Sequence, residues 1–288
     1  MMPNAQARYS QAQGWQARRA ELFAALHRPG DPLLLPNAWD VASAVMIVAA
    51  GAKAIATTSA GVAWSFGVPD GGGLGAERAA VAVARIVAAV DVPVSADIEA
   101  GYEDLAATVS AVLQAGAVGV NIEDSQAGVL LSPAEQAGRL HQARAVADGA
   151  GLRPWINART DVFLTGSGQL GEALARSAAY AEAGADSLFV PGLVDPAGIA
   201  VLAAGPLPVA VMAWPGAPSA AEFAAAGAAR ISLGSAIAQA AFRVAARAAA
   251  ELLADGTYDS IADSIDYRTM NDALATAAAY RNQTGCHG

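Results

Sequence analysis

The sequence predicts a (β/α)₈ barrel, and three observations predict it. The chain has 288 residues, 55% hydrophobic and only 15% charged, which suits one large core of the size α/β barrels usually have. Short β-rich runs alternate along it with alanine-rich helical stretches. Several of those helices end at a glycine leading into the next strand, as in "VAAGAKAI", "LQAGAVGV", "AEAGADSL" and "AAAGAARI". An open doubly wound sheet of this many units would be unusually wide.

Taken in order, residues 1–30 hold a leading amphipathic helix, "WQARRAELFAALH". Arg8, Arg18 and Arg19 precede the first acid, Glu21, a faint likeness to a transit peptide that the helix explains better. Eight strands follow within residues 31–255: "LLLPNAW" from Leu33, "AIATTSA" from Ala54, "PVSADIE" from Pro93, "VGVNIED" from Val118, "PWINART" from Pro154, "SLFVPG" from Ser187, "LPVAVMAW" from Leu207 and "ARISLG" from Ala229. Their starts lie 20 to 39 residues apart, room each time for a strand, a helix and two loops. Residues 256–288, with helical "DSIADSI" and "TMNDALATAAAYRNQ", form an extension that packs on the barrel or on a neighbouring subunit. The whole reads as one domain.

Charge and composition exclude several functions. A net charge of -9 repels a phosphate backbone, so nucleic acid is not expected as a partner. Residues 196–221 carry no charge, but Pro196, Pro206, Pro208, Pro215 and Pro218 break them, so no membrane helix is expected. The single cysteine, Cys286, allows no internal disulfide, and a cytoplasmic location is expected.

In such barrels catalytic groups stand at the C-terminal strand ends, and alternate residues of a strand share a face. Strand three ends with Asp97 and Glu99, strand four with Asn121 and Glu123, and strand five with Asn157 and Arg159. Asp97, Glu99 and Glu123 would repel one another at one mouth unless a cation or protons intervened. Mg²⁺ resolves the conflict most simply, through oxygen ligands and retained waters, with Mn²⁺ as an alternative. Asp104 reads as a helix cap, and Asp124 as structural because it faces away from Glu123.

"TTSAGVAWSFGVPD", "VPVSADIEAGY", "GVNIED" and "INARTD" resemble, in order and spacing, the isocitrate lyase and phosphoenolpyruvate mutase superfamily, from about Pro36 to Gly234. The resemblance implies a Mg²⁺-dependent barrel acting on 2-oxo or 2-hydroxy carboxylates through an enolate-like intermediate. It further implies a homotetramer that exchanges its final barrel helix between subunits. Asp97 resembles the principal metal ligand, with Glu99, Glu123 and Asp70 acting directly or through water. Ser59, Ala60 and Gly61 resemble the segment that holds the substrate carboxylate, and Arg159 the arginine that grips carboxylate or enolate oxygen. Asn121 shares the orientation of Glu123 and is a candidate substrate contact.

Two departures matter. Glu99 stands where the family has a second aspartate, and residues 125–133, "SQAGVLLSP", replace the Lys-(Lys/Arg)-Cys-Gly-His loop of the lyases. The missing cysteine, an acid in lyase turnover, argues against isocitrate or methylisocitrate as substrate. The expected activity is C–C cleavage or decarboxylation of a small oxo or hydroxy dicarboxylate. Phosphoenolpyruvate mutase- or phosphonopyruvate hydrolase-like C–P chemistry, and a barrel that binds metal and ligand without turnover, are the alternatives. Other chemistries lack residues. Lys53, the only lysine, lies at the wrong end for a Schiff base, and His27, His141 and His287 avoid the strand ends. "GSGQLG", residues 166–171, is a lone G-x-G-x-x-G in the wrong unit for dinucleotide binding.

Overall fold

The computed structural model of the chain describes residues 5–71, 73–165 and 168–284. Part of the 166–171 glycine run, with Cys286 and His287, therefore lies outside the described residues. In chain order the elements are α1 (Ala5–Leu26), β1 (Leu33–Leu35), β2 (Asn37–Ala38), α2 (Val41–Ala49), β3 (Ile55–Thr57), α3 (Ser59–Ser65), α4 (Ala76–Val87), β4 (Val94–Asp97), α5 (Leu105–Gln114), β5 (Gly119–Glu123), β6 (Ser125–Gln126), β7 (Val129–Leu130), α6 (Pro133–Gly149), β8 (Trp155–Arg159), α7 (Leu170–Glu182), β9 (Ser187–Phe189), α8 (Pro196–Ala203), β10 (Val209–Met212), α9 (Ala220–Ala225), β11 (Ala228–Ser232), α10 (Ala236–Asp255) and α11 (Tyr267–Thr284).

The sheet runs β1-β11-β10-β9-β8-β5-β4-β3-β2, all parallel, and its two ends are consecutive in sequence. The ring therefore closes, and the predicted barrel is present. Its first stave breaks at Pro36, which has no N–H to donate to a neighbour, while its carbonyl still accepts from the Ala56 N–H at 3.2 Å. Two strands are shorter than their sequence suggests. The second ends at Thr57, so Ser59 opens a helix instead, and the third ends at Asp97, leaving Glu99 in a turn at φ 51°.

Outward-facing strand residues such as Ile55, Val94, Val120, Ile156, Leu188 and Val209 join the helices in one apolar core. In α4 the buried positions Ala79, Ala82, Val83, Ile86 and Val87 follow the helical period that such packing requires. The N-terminal mouth is sealed by α1. Phe23 clusters there with Leu33, Leu35, Ala56 and Val118, and His27 stacks on Trp155 at 4.2 Å. Gly119 permits this approach, since a Cβ there would lie 2.7 Å from Phe23 Cε1. With one mouth plugged, the C-terminal strand ends form the open one.

Beyond the barrel, "DSIADSI" forms only a single 3₁₀ turn, Asp259–Ile261, in place of the expected helix. The last helix, α11, does form and buries Ala277 in the main core. By contrast α10 buries only Ala238 along its length and leaves Phe242, Val244, Leu252 and Leu253 exposed.

Candidate active site

Asp97 closes β4 with its side chain turned into the mouth. Its N–H donates to Thr57 Oγ1 at 2.8 Å, and its Oδ2 accepts from both the N–H of Ser59 (3.1 Å) and the Ser59 hydroxyl (3.0 Å). Oδ1 is buried without a hydrogen-bond partner. Gly61 lets α3 start this close, because a Cβ would meet Thr58 Cγ2 at 2.8 Å and Trp39 Cβ at 2.9 Å. Ser59, Ala60 and Gly61 are therefore in the first turn of α3, where Thr58 makes no side-chain cap and Asp97 takes the N–H of Ser59.

Glu123 closes β5 and Arg159 closes β8, and the two are direct register partners. Their side chains pair at 2.6 Å. Arg159 also engages Asp161, through Nε at 2.6 Å and Nη2 at 3.4 Å, so that a planar fork lies between two carboxylates. Asp161 is fixed in turn: its Oδ2 accepts from the Ser125 hydroxyl, and its N–H donates to Asp124 Oδ1 at 2.9 Å. Asp124, fully buried, accepts from Arg176 at 3.0 Å and Tyr180 at 2.7 Å, the structural role its outward direction predicts. Asp104 likewise caps α5, accepting from the N–H groups of Ala106 and Ala107. The Glu123 N–H donates to the Glu99 carbonyl at 2.9 Å, which ties the turn after β4 to the end of β5. Asn121 is buried in the wall below and accepts from Asn157 at 2.8 Å.

The electrostatics agree with the geometry. Asp70 is pushed above the ordinary carboxylate range by burial and by the charge of Asp97, with Arg159 and a Ser59 hydrogen bond opposing. Glu123 is pushed up by burial and by Asp97, Asp161 and Glu99, which together outweigh Arg159. Burial opposes the charge of Arg159, but Glu123, Asp161 and Asp97 override it and hold the guanidinium protonated. Ser59, Asp70, Asp97, Glu99, Glu123 and Arg159 thus belong to one electrostatic unit in which carboxylates outnumber arginines, even with the buried Arg230, which also feels Asp97. Tyr102 belongs to it too, since its phenol is pushed up by burial and then by Glu99, Asp97, Asp70 and Glu123. Its place in "EAGY" beside Gly101 is the only signal of it in the sequence.

Among the described residues no three His, Cys, Asp or Glu side chains form a ready-made metal cage. Mg²⁺ asks for less: one or two carboxylates, with waters and substrate oxygens completing its shell. The unpartnered Oδ1 of Asp97, within an excess of negative charge, fits that demand.

The phosphoenolpyruvate phosphomutase family profile matches residues 23–253. A Mycobacterium tuberculosis protein of unassigned activity is 37% identical over 265 residues, covering 91% of this chain and 98% of that one. The 2-methylisocitrate lyase of Bacillus subtilis is 31% identical over 188 residues, covering 62% of this chain and 61% of the lyase. Among solved structures, a Burkholderia cenocepacia protein with a provisional lyase/mutase assignment superposes with a TM-score of 0.84 at 36% identity, covering 91% of this chain and 97% of its own. Barrel, strand-end residues and matched profile agree, and the chain belongs to the isocitrate lyase/phosphoenolpyruvate mutase superfamily.

Proposed function

We propose that the chain is a Mg²⁺-dependent lyase that breaks a C–C bond, by cleavage or decarboxylation, in a small 2-oxo or 2-hydroxy dicarboxylate. The observation that carries this reading is the unpartnered Asp97 Oδ1 in a mouth where several carboxylates face Arg159. Asp97, Glu99 and Glu123 would hold Mg²⁺ or Mn²⁺, with Asp70 joining directly or through water. When bound, the ion supplies Lewis-acid stabilisation of negative charge on substrate oxygens.

The chain's own groups do the remainder. The N–H groups of Ala60 and Gly61, in the first turn of α3 beside the Ser59 N–H that Asp97 takes, receive a substrate carboxylate. Arg159, aimed by Glu123 and Asp161, meets the oxygen on which charge grows as a bond to C3 breaks. Asn121 lines the floor. The hairpin of β6 and β7 stands over the mouth at the position of the missing cysteine loop, tied down through Ser125 and Asp161. Across residues 125–133, Ser125, Gln126 and Ser132 are poor acids near neutral pH, so negligible turnover of isocitrate or methylisocitrate is expected.

A panel of oxaloacetate, substituted malates, phosphonopyruvate and methylisocitrate, with Mg²⁺ and with chelator, tests the reading. Mg²⁺-dependent turnover of an oxo or hydroxy dicarboxylate supports it. Methylisocitrate cleavage at a kcat/KM of about 10⁴ M⁻¹s⁻¹ or above overturns the cysteine argument. The matched phosphomutase profile favours C–P chemistry as second reading, which turnover of phosphonopyruvate would select. Mg²⁺ binding with no turnover at all would select the ligand-binding barrel.

A homotetramer exchanging α10 between subunits belongs to the proposal, supported by the exposed Phe242, Val244, Leu252 and Leu253. Among the described residues no helix is long and apolar enough to cross a membrane, and the cytoplasm is the proposed location.

A further inference from the structure

Tyr102 combines three features that the roles assigned above do not use. Its backbone is left-handed at φ 51°, as is that of Glu99 at φ 51°, with Gly101 at φ 90° between them. A bulky residue adopts that conformation only where its surroundings over-determine it, and such strain gathers at functional sites. The ring is partly buried against the cluster of Val62, Ala63 and Leu74, which fixes it beside the helix that opens at Ser59. Its hydroxyl is buried and has no hydrogen-bond partner, although Glu99, Asp97, Asp70 and Glu123 all act on it.

A tyrosine phenol is protonated near neutral pH in any case, so the buried hydroxyl has an O–H free to donate. Three other hydroxyls near the mouth are committed, Ser125 donating to Asp161, Ser59 to Asp97 and Ser132 to Glu135, whereas that of Thr160, next to Arg159, is buried without a partner as well. A buried donor without a partner beside those carboxylates matches a ligand whose oxygens enter that same space.

We propose that Tyr102 is a further substrate-contacting residue, its phenolic O–H donating a hydrogen bond to a carboxylate or enolate oxygen of the bound ligand. This rests on the reading of the mouth as a Mg²⁺-dependent carboxylate site. Oxalate, a small planar dicarboxylate, is the probe, titrated by calorimetry into the full chain with saturating Mg²⁺ and separately without it. Tyr102→Phe removes one oxygen and keeps the ring, so the variant folds, with a thermal midpoint equal to the parent's or higher. Its Mg²⁺ affinity stays within about threefold, while its oxalate affinity falls roughly tenfold or more, as loss of a hydrogen bond to a charged acceptor requires. Oxalate affinity unchanged within about twofold overturns the proposal alone, and so does a loss of Mg²⁺ affinity as large as the loss for oxalate. Failure of the parent chain to bind oxalate with Mg²⁺ present overturns the reading beneath it, and the proposal with it.

Discussion

At the scale of single residues, Arg159 carries the sharpest expectation. Its fork satisfies Glu123 and Asp161 together, and a lysine ammonium keeps the charge but cannot hold that shape. Arg159→Lys is expected to lower kcat/KM by about 10²-fold or more on whichever substrate the panel identifies, with only a small shift in the melting midpoint; activity within twofold would remove Arg159 from the site. Asp97→Asn is expected to abolish Mg²⁺ binding by calorimetry with only a small change in the apoprotein's melting midpoint, because the relieved repulsion among the carboxylates is offset by the lost attraction to buried Arg230. These residues were legible because strand alternation alone places Asp97, Glu123 and Arg159 on one face. Tyr102 was not legible, since its position depends on left-handed turns at Glu99 and Tyr102 that non-glycine residues do not announce.

At the scale of elements, α1 is a plug. Gly119→Ala would set a methyl against Phe23, and a loss of about 1 to 3 kcal/mol in denaturant unfolding is expected, the usual cost of overpacking. The residue that follows this helix, His27, should make the fold acid-sensitive. His27 donates from Nδ1 to the Phe23 carbonyl at 2.8 Å, and burial, aided by the Arg230 charge, lowers its pKa to about 3 from an ordinary 6.5. The unfolded chain therefore takes up a proton between those values that the folded chain refuses, so stability is full above about pH 6.5 and falls as pH drops toward 3. His27→Gln should flatten that part of the stability profile measured by urea unfolding between pH 7 and 4. Strand cores, the helices between them and the ends of β5 and β8 were legible, but the ends of β3 and β4 were not. The early stops at Thr57 and Asp97 follow from cap and turn geometry that adjacent apolar residues conceal.

At the scale of the whole molecule, α10 exposes Phe242, Val244, Leu252 and Leu253 on a helix that buries only Ala238 in its own barrel. A tetramer is expected by native mass spectrometry, and the double change Phe242→Glu with Leu253→Glu should shift it to monomers. A chain that remains tetrameric would locate the contact elsewhere. The ring itself closes at a seam between the beginning of the chain and its end. Leu33, Leu34 and Leu35 pair with Arg230, Ile231 and Ser232, and the Leu233 N–H reaches Asn37 across 196 positions. On the ribosome, at about 5 to 20 residues per second, the first stave therefore waits on the order of 10 to 40 seconds for its second neighbour. Until then Leu33 and Leu35 belong to an unclosed arc with a bare edge. Chaperone capture during synthesis should accordingly peak before Ser232 emerges from the exit tunnel and fall once it has.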